Sequence, residues 1–597
     1  MPFIPITIPP GVVKTNSDFA ATGRWIDMDK VRFTSGFPEK IGGIRKFFTG
    51  QFTGKARGAR AWSASDGVQH LMWGTQNDLY VLRQGTKTRI TPYRKNATNI
   101  ALTDPFSTTN GSPIVTVTDT LHGISNVGVT VTFSGASAVG GITINGDYLV
   151  TEIVDPDNFK ITHTSNATST ATGGGSVTAS YEINFGLESP SYALGWGVGG
   201  WGEGYWGMEA SIATSTLSDM RWWSIDGYGE DVMVCPLMET VYHYDTSAGP
   251  ARPAKLTNAP AQIRYVFVTP ERYIFALGCT NLAGDFDAMT VRWPDVDDFT
   301  VWTPTSTNTA NERKLQLGSR LMAGVGLTSG VSLVWSDYAV FAFQFTGSRF
   351  IYDDHPVGTE CGLIGPHAFC KTDQMAFWMS AYGFHVYSSY VQSIPNQDDI
   401  RDWVAAMINI QHLQKTFAFY NKNFNEVWFV FPTTTSEPDT YVAVNLDAYY
   451  WMNGTYDRTC HAKYTSGEIR PILFGTNGYI YLHETTDNHD NDGAAMRAFL
   501  DMGLFALNDG NDSVDIFGFA PDTQRQSGDL QVTMYGKDWP KDEVMDTDAI
   551  TVGETDRLVD CRVSGRHVGL TIVSDTIAGD FRLGKFGVEI TGAGKKR

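Results

Sequence analysis

An all-β chain is what the amino-acid sequence predicts, on three observations: its composition, its short alternating apolar runs, and the spacing at which those runs recur. Among 597 residues there are 61 Gly, 25 Pro, 34 Phe, 25 Tyr and 16 Trp, and only 18% are charged. Aromatic and β-branched side chains suit a pleated, half-buried surface, and Gly and Pro punctuate turns. Stretches rich in Ala, Glu, Lys and Leu, which an all-helical chain needs, are scarce. Low charge with many large apolar side chains also excludes a disordered chain, and the length implies several domains or one large repeat architecture.

The clearest recurring unit is a strand, a tight turn and a second strand. It is seen in Trp73-Gly74-Thr75-Gln76-Asn77-Asp78-Leu79-Tyr80-Val81 and again in Phe474-Gly475-Thr476-Asn477-Gly478-Tyr479-Ile480-Tyr481-Leu482. Both read as hairpins with Asn-Asp or Asn-Gly turns. Looser versions fall near residues 234, 277, 335, 379 and 430, so that with 474 the gaps are 43, 58, 44, 51 and 44 residues. A period of roughly 40 to 50 residues carrying several short strands is that of β-propeller blades, here six or seven. Unrelated hairpins in sandwiches would be the plainer reading of the same pattern.

The spacing fails between 73 and 234. Residues 101–185 within that gap are rich in Ser, Thr, Gly and Val and alternate in Ile114–Thr118, Val129–Phe133 and Val177–Tyr181, which predicts a small β-sandwich inserted into a loop. Residues 1–100 then hold the opening segment and first propeller strands, and residues 186–497 the remaining blades. Over Gln397–Ile410 the residues Ile400, Trp403, Val404, Met407 and Ile408 share one helical face, predicting a helix against the outside of the β-structure. From 498 to 597 the strands Leu530–Tyr535, Val568–Val573 and Gly587–Ile590 predict a separate carboxy-terminal β-sandwich, followed by a basic tail, Lys595-Lys596-Arg597.

Sixty-four acidic residues against 45 basic ones leave a formal charge of −19, the wrong sign for gripping phosphates. The same sign suits a passage through which DNA must move without sticking. Six cysteines are dispersed without a CxxC pair or a zinc-like His partner, so buried free thiols and folding in a reducing cytosol are expected. The opening MPFIPITIPPGVV has no basic region and four prolines, so neither a signal peptide nor a stable membrane insertion is expected.

Chemistry leaves little trace. There is no GxSxG elbow, HExxH pair or Walker loop. Gly195, Gly197 and Gly200 match dinucleotide spacing, but no helix pattern follows. The run Asn488-His489-Asp490-Asn491-Asp492-Gly493 imitates a calcium loop whose twelfth position, Phe499, cannot ligate. Acidic pairs such as Asp297-Asp298 and Asp353-Asp354 say nothing of the through-space separation glycosidase carboxylates need. The chain is expected not to be an enzyme, with no catalytic set, metal or cofactor.

The most unusual feature is Gly195–Gly207, in which Trp196, Trp201 and Trp206 recur every five residues, with Tyr205 beside the last. Glycines free the backbone but cannot bury those rings, which therefore need a partner surface. The loop reads either as a packing anchor between blades or subunits, or as a contact at a channel or tip.

Three segments, Gly23–Phe33 with Gly36–Gly43, the Gly-Trp loop, and Ser564–Arg566 with Phe581–Phe586, together resemble tail proteins of short-tailed bacteriophages. More narrowly, the chain is similar to a podophage tail nozzle or hub protein, of the tail-tube or packaged-DNA-stabilisation type. That resemblance implies a propeller-containing structural subunit assembled as a homo-hexameric ring below the portal and its adaptor protein. Such a ring extends and closes the channel, retains packaged double-stranded DNA, guides its ejection, and carries tailspikes or tail fibres. It also implies assembly in the host cytoplasm and residence in the virion tail. Within that frame Trp25, Asp27, Asp29, Lys30 and Arg32 form a docking segment, with Trp25, Asp27 and Asp29 on one face of a strand and Ile26, Lys30 and Arg32 on the other. An ordinary first propeller strand fits these residues equally. The alternative function is a host-surface tail protein that binds or cleaves glycans; a cellular propeller adhesin would need an export signal.

Overall fold

The computed structural model describes the chain except for residues 1–2, 15–16, 18, 96–100, 191–218, 297, 348–350, 464–467, 488, 507–512, 540, 547–548 and 595–597. It is nearly all-β. One α-helix, Asp398–Met407, and a short 3-10 segment, Ile410–Lys415, are the helical elements among the described residues. By contacts the chain forms two units, Thr53–Gln316, and Met1–Phe52 together with Leu317–Arg597.

Among the described residues, the unit Thr53–Gln316 holds three meanders of four antiparallel strands. The first runs through Ala59–Ser63, Gln69–Gly74, Leu79–Arg83 and Thr86–Arg89. The second starts at Trp223–Tyr228 and Asp231–Pro236, and the third at Ile263–Val268 and Ile274–Thr280. Between the first two, strands from Tyr93–Lys95 to Ser176–Glu182 form a sheet of their own. Its long strand Gly146–Asp155 pairs first with Thr130–Ser134 and then with Asn158–Thr162, the second pairing being interrupted by bulges between Val150 and Glu152 and between Ile153 and Asp155. Bulges bend a strand, and this one carries the sheet over a separate core of Phe106, Val115, Val131, Phe133, Phe159 and Tyr181.

Among its described residues the other unit holds four more meanders, whose second strands are Val331–Ser336, Ala376–Ser380, Glu426–Phe431 and Ile472–Gly475. All seven apolar anchors found in the sequence lie on such second strands. Several of these strands are buried on both faces, as in Glu426–Phe431, where five apolar residues follow the buried Glu426. The fourth strand of the last meander, Gly43–Phe48, comes from the other end of the chain and pairs with Ile480–Thr485.

The two hairpins closest in sequence turn by different means. In the Phe474 hairpin Gly478 takes a φ of +77°, and a Cβ there would lie 2.4 Å from the Phe52 carbonyl oxygen. In the Trp73 hairpin the Thr75 hydroxyl accepts from the Asp78 amide at 3.0 Å.

Three strands near the start of the sequence are woven into the sheets of the last hundred residues. Phe3–Ile6 pairs with Phe586–Gly594, Trp25–Asp29 with Ala498–Ala506, and Phe37–Lys40 with Asp580–Leu583. In Leu530–Lys537 buried and half-buried residues alternate, with Leu530, Val532 and Met534 entering a core shared with Trp25, Met28, Val31 and Phe33. In the helix Asp398–Met407 the expected face is partly realised: Ile400 and Val404 are buried, whereas Met407 is exposed.

Candidate functional site

The most elaborate polar arrangement among the described residues surrounds Arg32, in the strand Val31–Thr34. Its Nε and Nη2 donate to the two carboxylate oxygens of Glu426 at 3.0 and 3.1 Å. Its Nη1 and Nη2 donate to those of Glu484 at 2.8 and 2.5 Å. The guanidinium lies 3.5 Å from the Phe424 ring centroid. Three of the four carboxylate oxygens have a further donor: Trp428 Nε1 donates to Glu426 Oε2 at 3.0 Å, the Gly42 amide to Glu484 Oε2 at 3.0 Å, and Asn421 Nδ2 to Glu484 Oε1 at 3.3 Å. A side chain at position 42 would strike the Glu484 backbone at 2.6 Å, so the amide can approach only as glycine. Burial opposes the charge on Arg32, but Glu426 and Glu484 outweigh it and hold the guanidinium above its usual value. The arrangement clamps the opening segment to the last two meanders.

The other residues expected to form a docking segment also find partners inside the chain. Trp25 is buried in the core. Asp27 accepts from Lys14 at 2.6 Å and Asn453 at 2.9 Å. Asp29 accepts from the Thr455 amide at 2.8 Å and from Lys30 Nζ at 2.7 Å, while the Lys30 amide donates to the Tyr441 hydroxyl. The single alternating strand expected here is corrected to two, Trp25–Asp29 and Val31–Thr34, in different sheets. Lys30 takes a φ of +53° between them, and the pairing shifts register between Trp25 and Asp27, so the two-residue period does not run through. Further along, Lys40 Nζ is buried and donates to the Gly579 carbonyl at 2.8 Å; burial pulls its pKa down to about 8 against the attraction of Asp580.

Trp196, Trp201, Tyr205 and Trp206 lie outside the described residues, as does the basic tail. Of the calcium-like run, Asn488 is also outside; His489 bonds the Ile41 carbonyl at 3.1 Å and Asp490 is buried. Among the described residues no group of three or more His, Cys, Asp or Glu side chains is placed to hold a metal ion. All six cysteines are buried and free.

One pairing missed in the sequence imitates a nucleophile and base: Ser380 Oγ lies 2.9 Å from His385 Nε2. Its other partners are the Tyr382 amide and the Gly383 carbonyl of the same turn, and the imidazole stacks on Trp378. Burial pushes His385 down to about 4, so at neutral pH it is uncharged. An apolar cavity lined by Phe519, Leu530, Val552 and Phe586 holds about 10 Å³, room for no more than one water.

The sequence matches no protein-family profile and no curated protein. Among solved structures it is similar to PorZ of Porphyromonas gingivalis, a surface component of the type-IX secretion system, at 10% identity over 90% of this chain and 86% of that one, with a TM-score of 0.30. It is similar to YCF48 bound to D1 peptide at 10% identity over 64% and 98%, with a TM-score of 0.26. It is also similar to the phage phi92 endosialidase at 12% identity over 79% of each chain, with a TM-score of 0.18. Scores of this size assign the chain neither an architecture nor a function.

Proposed function

We propose that this chain is a structural subunit of the tail nozzle of a short-tailed bacteriophage, with its seven meanders as the blades of a β-propeller. The residues inserted between the first two meanders and the last hundred residues are its accessory β-sandwich domains. Copies form a ring, a hexamer, below the portal and adaptor. The ring extends the DNA channel, retains the packaged genome, guides its ejection and offers seats for tailspikes or fibres. The role is mechanical, without catalysis or a cofactor.

One relationship supports this reading above the rest. Two of the segments that carry the resemblance, at opposite ends of the sequence, are neighbours in a single four-stranded sheet of Val31–Thr34, Phe37–Lys40, Asp580–Leu583 and Thr523–Ser527. Glu39 is the direct partner of Arg582, and Arg582 Nη2 donates to the Thr34 carbonyl at 3.3 Å across 548 residues of sequence. The segments therefore act as one structural element, which is what a shared architecture requires and chance similarity does not. The charge of −19 per copy is a second support, because a negative lining lets a polyanion pass without binding.

The test is DNA retention and tail morphology in particles assembled without this protein, viewed by electron microscopy beside complete virions. Filled heads that leak DNA and lack the distal tail segment are expected. Stable particles with an intact tail that only fail to adsorb would replace the nozzle with a receptor-binding or glycan-cleaving appendage. Assignment of the Gly-Trp loop to the channel predicts leakage when Trp196, Trp201 and Trp206 are all replaced by Ala; unchanged retention and infectivity would remove that assignment.

A further inference from the structure

We propose that Phe3–Ile6 is an exchange arm that docks on the strand Phe586–Gly594 of a second copy of this chain. The proposal rests on the self-assembly part of the reading above and adds the contact through which copies hold one another.

The arm is the outermost strand of a sheet whose order is Phe3–Ile6, Phe586–Gly594, Ser513–Ala520 and Val559–Gly565. It makes four residue pairs, Phe3 with Glu589, Ile4 with Val588, Pro5 with Gly587 and Ile6 with Phe586. Proline inside a strand is tolerated at an edge, where no neighbour needs its missing N–H. The seat is specific. Gly587 has no side chain, and a Cβ there would lie 2.0 Å from the Phe3 ring, so the ring occupies the space a larger residue would fill. Beneath the arm Val588 is 0% exposed and Phe586 5%, and an apolar edge of this kind invites pairing unless it is covered.

The cover is nevertheless marginal when it comes from the same chain. Phe3 remains 54% exposed, and Ile6 is the one buried residue of the arm. Ile8 packs half-buried against the core, and the next backbone hydrogen bonds are at Val12, whose amide donates to the Trp451 carbonyl at 3.0 Å, and at Val13, whose amide donates to the Trp25 carbonyl at 2.9 Å. Between the arm and Val12 stand Thr7, Ile8, Pro9, Pro10 and Gly11. Consecutive prolines fix φ and hold the residue before each of them extended, so this connector is stiff and resists folding back. A short stiff hinge beside a detachable strand is the arrangement that favours exchange between identical chains. The hydrogen bonds gained are the same in either case; proximity decides, and neighbouring subunits present the edge at a high effective concentration.

The experiment co-expresses two full-length chains with different tags, one carrying Phe3→Cys and the other Glu589→Cys, and applies mild oxidation. Directly opposed residues of an antiparallel pair lie within disulfide reach. The six native thiols are buried and do not compete. The expected result is a covalent two-chain species carrying both tags, absent when either variant is expressed alone. Should loss of the Phe3 ring loosen the arm, the opposed pair Ile4→Cys and Val588→Cys repeats the test with Phe3 in place. If the double variant Phe3→Cys/Glu589→Cys closes within single chains and the co-expressed singles give no two-chain band, exchange is overturned. Light scattering on the unmodified protein separates the two failures. A multi-chain mass with internal closure overturns exchange alone, whereas a single-chain mass at every concentration overturns both exchange and the self-assembled ring.

Discussion

Arg32 and Glu426, 394 residues apart in sequence, form a two-pronged ion pair in which each side chain is 1% exposed. Desolvating both groups is costly, and the geometry offsets that cost only while both partners are present. Replacing Arg32 by Ala leaves Glu426 and Glu484 facing each other without a cation. The expected loss is about 3–5 kcal/mol, read as a lower urea midpoint of the full-length chain. Arg32→Lys is expected not to restore it, because an ammonium cannot donate along two forks to two carboxylates. A midpoint within error of the parent for Arg32→Ala would show that the clamp carries no stability.

Acid weakens the fifth meander through His385. Its pKa is 6.5 in an open chain and about 4 when buried against Trp378, so between those values the unfolded state binds more protons. Stability from this group is complete above pH 6.5 and is lost as the pH falls toward 4. The total change is about 3 kcal/mol at roughly 1.4 kcal/mol per pKa unit. His385→Gln keeps a polar partner for Ser380 and should flatten the pH dependence across that window; equal slopes in parent and variant would contradict the assignment.

The inserted sheet is expected to be removable. Its entry and exit strands are paired, with Tyr93 opposite Glu182, so the cut ends lie one strand spacing apart. Joining residue 94 to residue 181 through a short Asn-Gly turn retains Glu182, which accepts from Arg89 Nη1 at 2.7 Å and Arg252 Nη1 at 2.5 Å. Circular dichroism and thermal unfolding of the shortened chain should show the remaining β-structure melting cooperatively within a few degrees of the parent. Aggregation, or loss of the cooperative transition, would show that the meanders depend on the insert.

Thiol reactivity reports the state of the core. Burial raises the pKa of Cys361 to about 11 and pushes Cys235, Cys279 and Cys370 higher still, and thiolate is the reactive form. The native chain should therefore leave all six cysteines unlabelled by a disulfide reagent, and denaturant should release six. Rapid labelling of any thiol in the native protein would place that cysteine at an accessible site.

Periodicity and turn chemistry act over a few residues, and what depends on them is legible in the sequence. The apolar anchors, the Asn477-Gly478 turn and the alternation in Leu530–Lys537 all follow from side-chain spacing and backbone freedom near one position. The break at Lys30 does not, because a lysine with positive φ is held by its surroundings, here the Tyr441 hydroxyl and Thr455, from more than 400 residues away. The role of Arg32 was hidden for the same reason: a charged residue in an apolar strand reads as a surface group until two carboxylates from other sheets are brought to it.

A β-rich chain, the spacing of its hairpins and an acidic net charge are legible from residue order, because these depend on composition and local pattern. Folding in three dimensions is what makes Phe3–Ile6, Trp25–Asp29 and Phe37–Lys40 complete sheets formed by the last hundred residues, and brings Arg32, Glu426 and Glu484 into one buried site. Strand edges and charges pair by proximity in space, and distance along the chain carries no record of it.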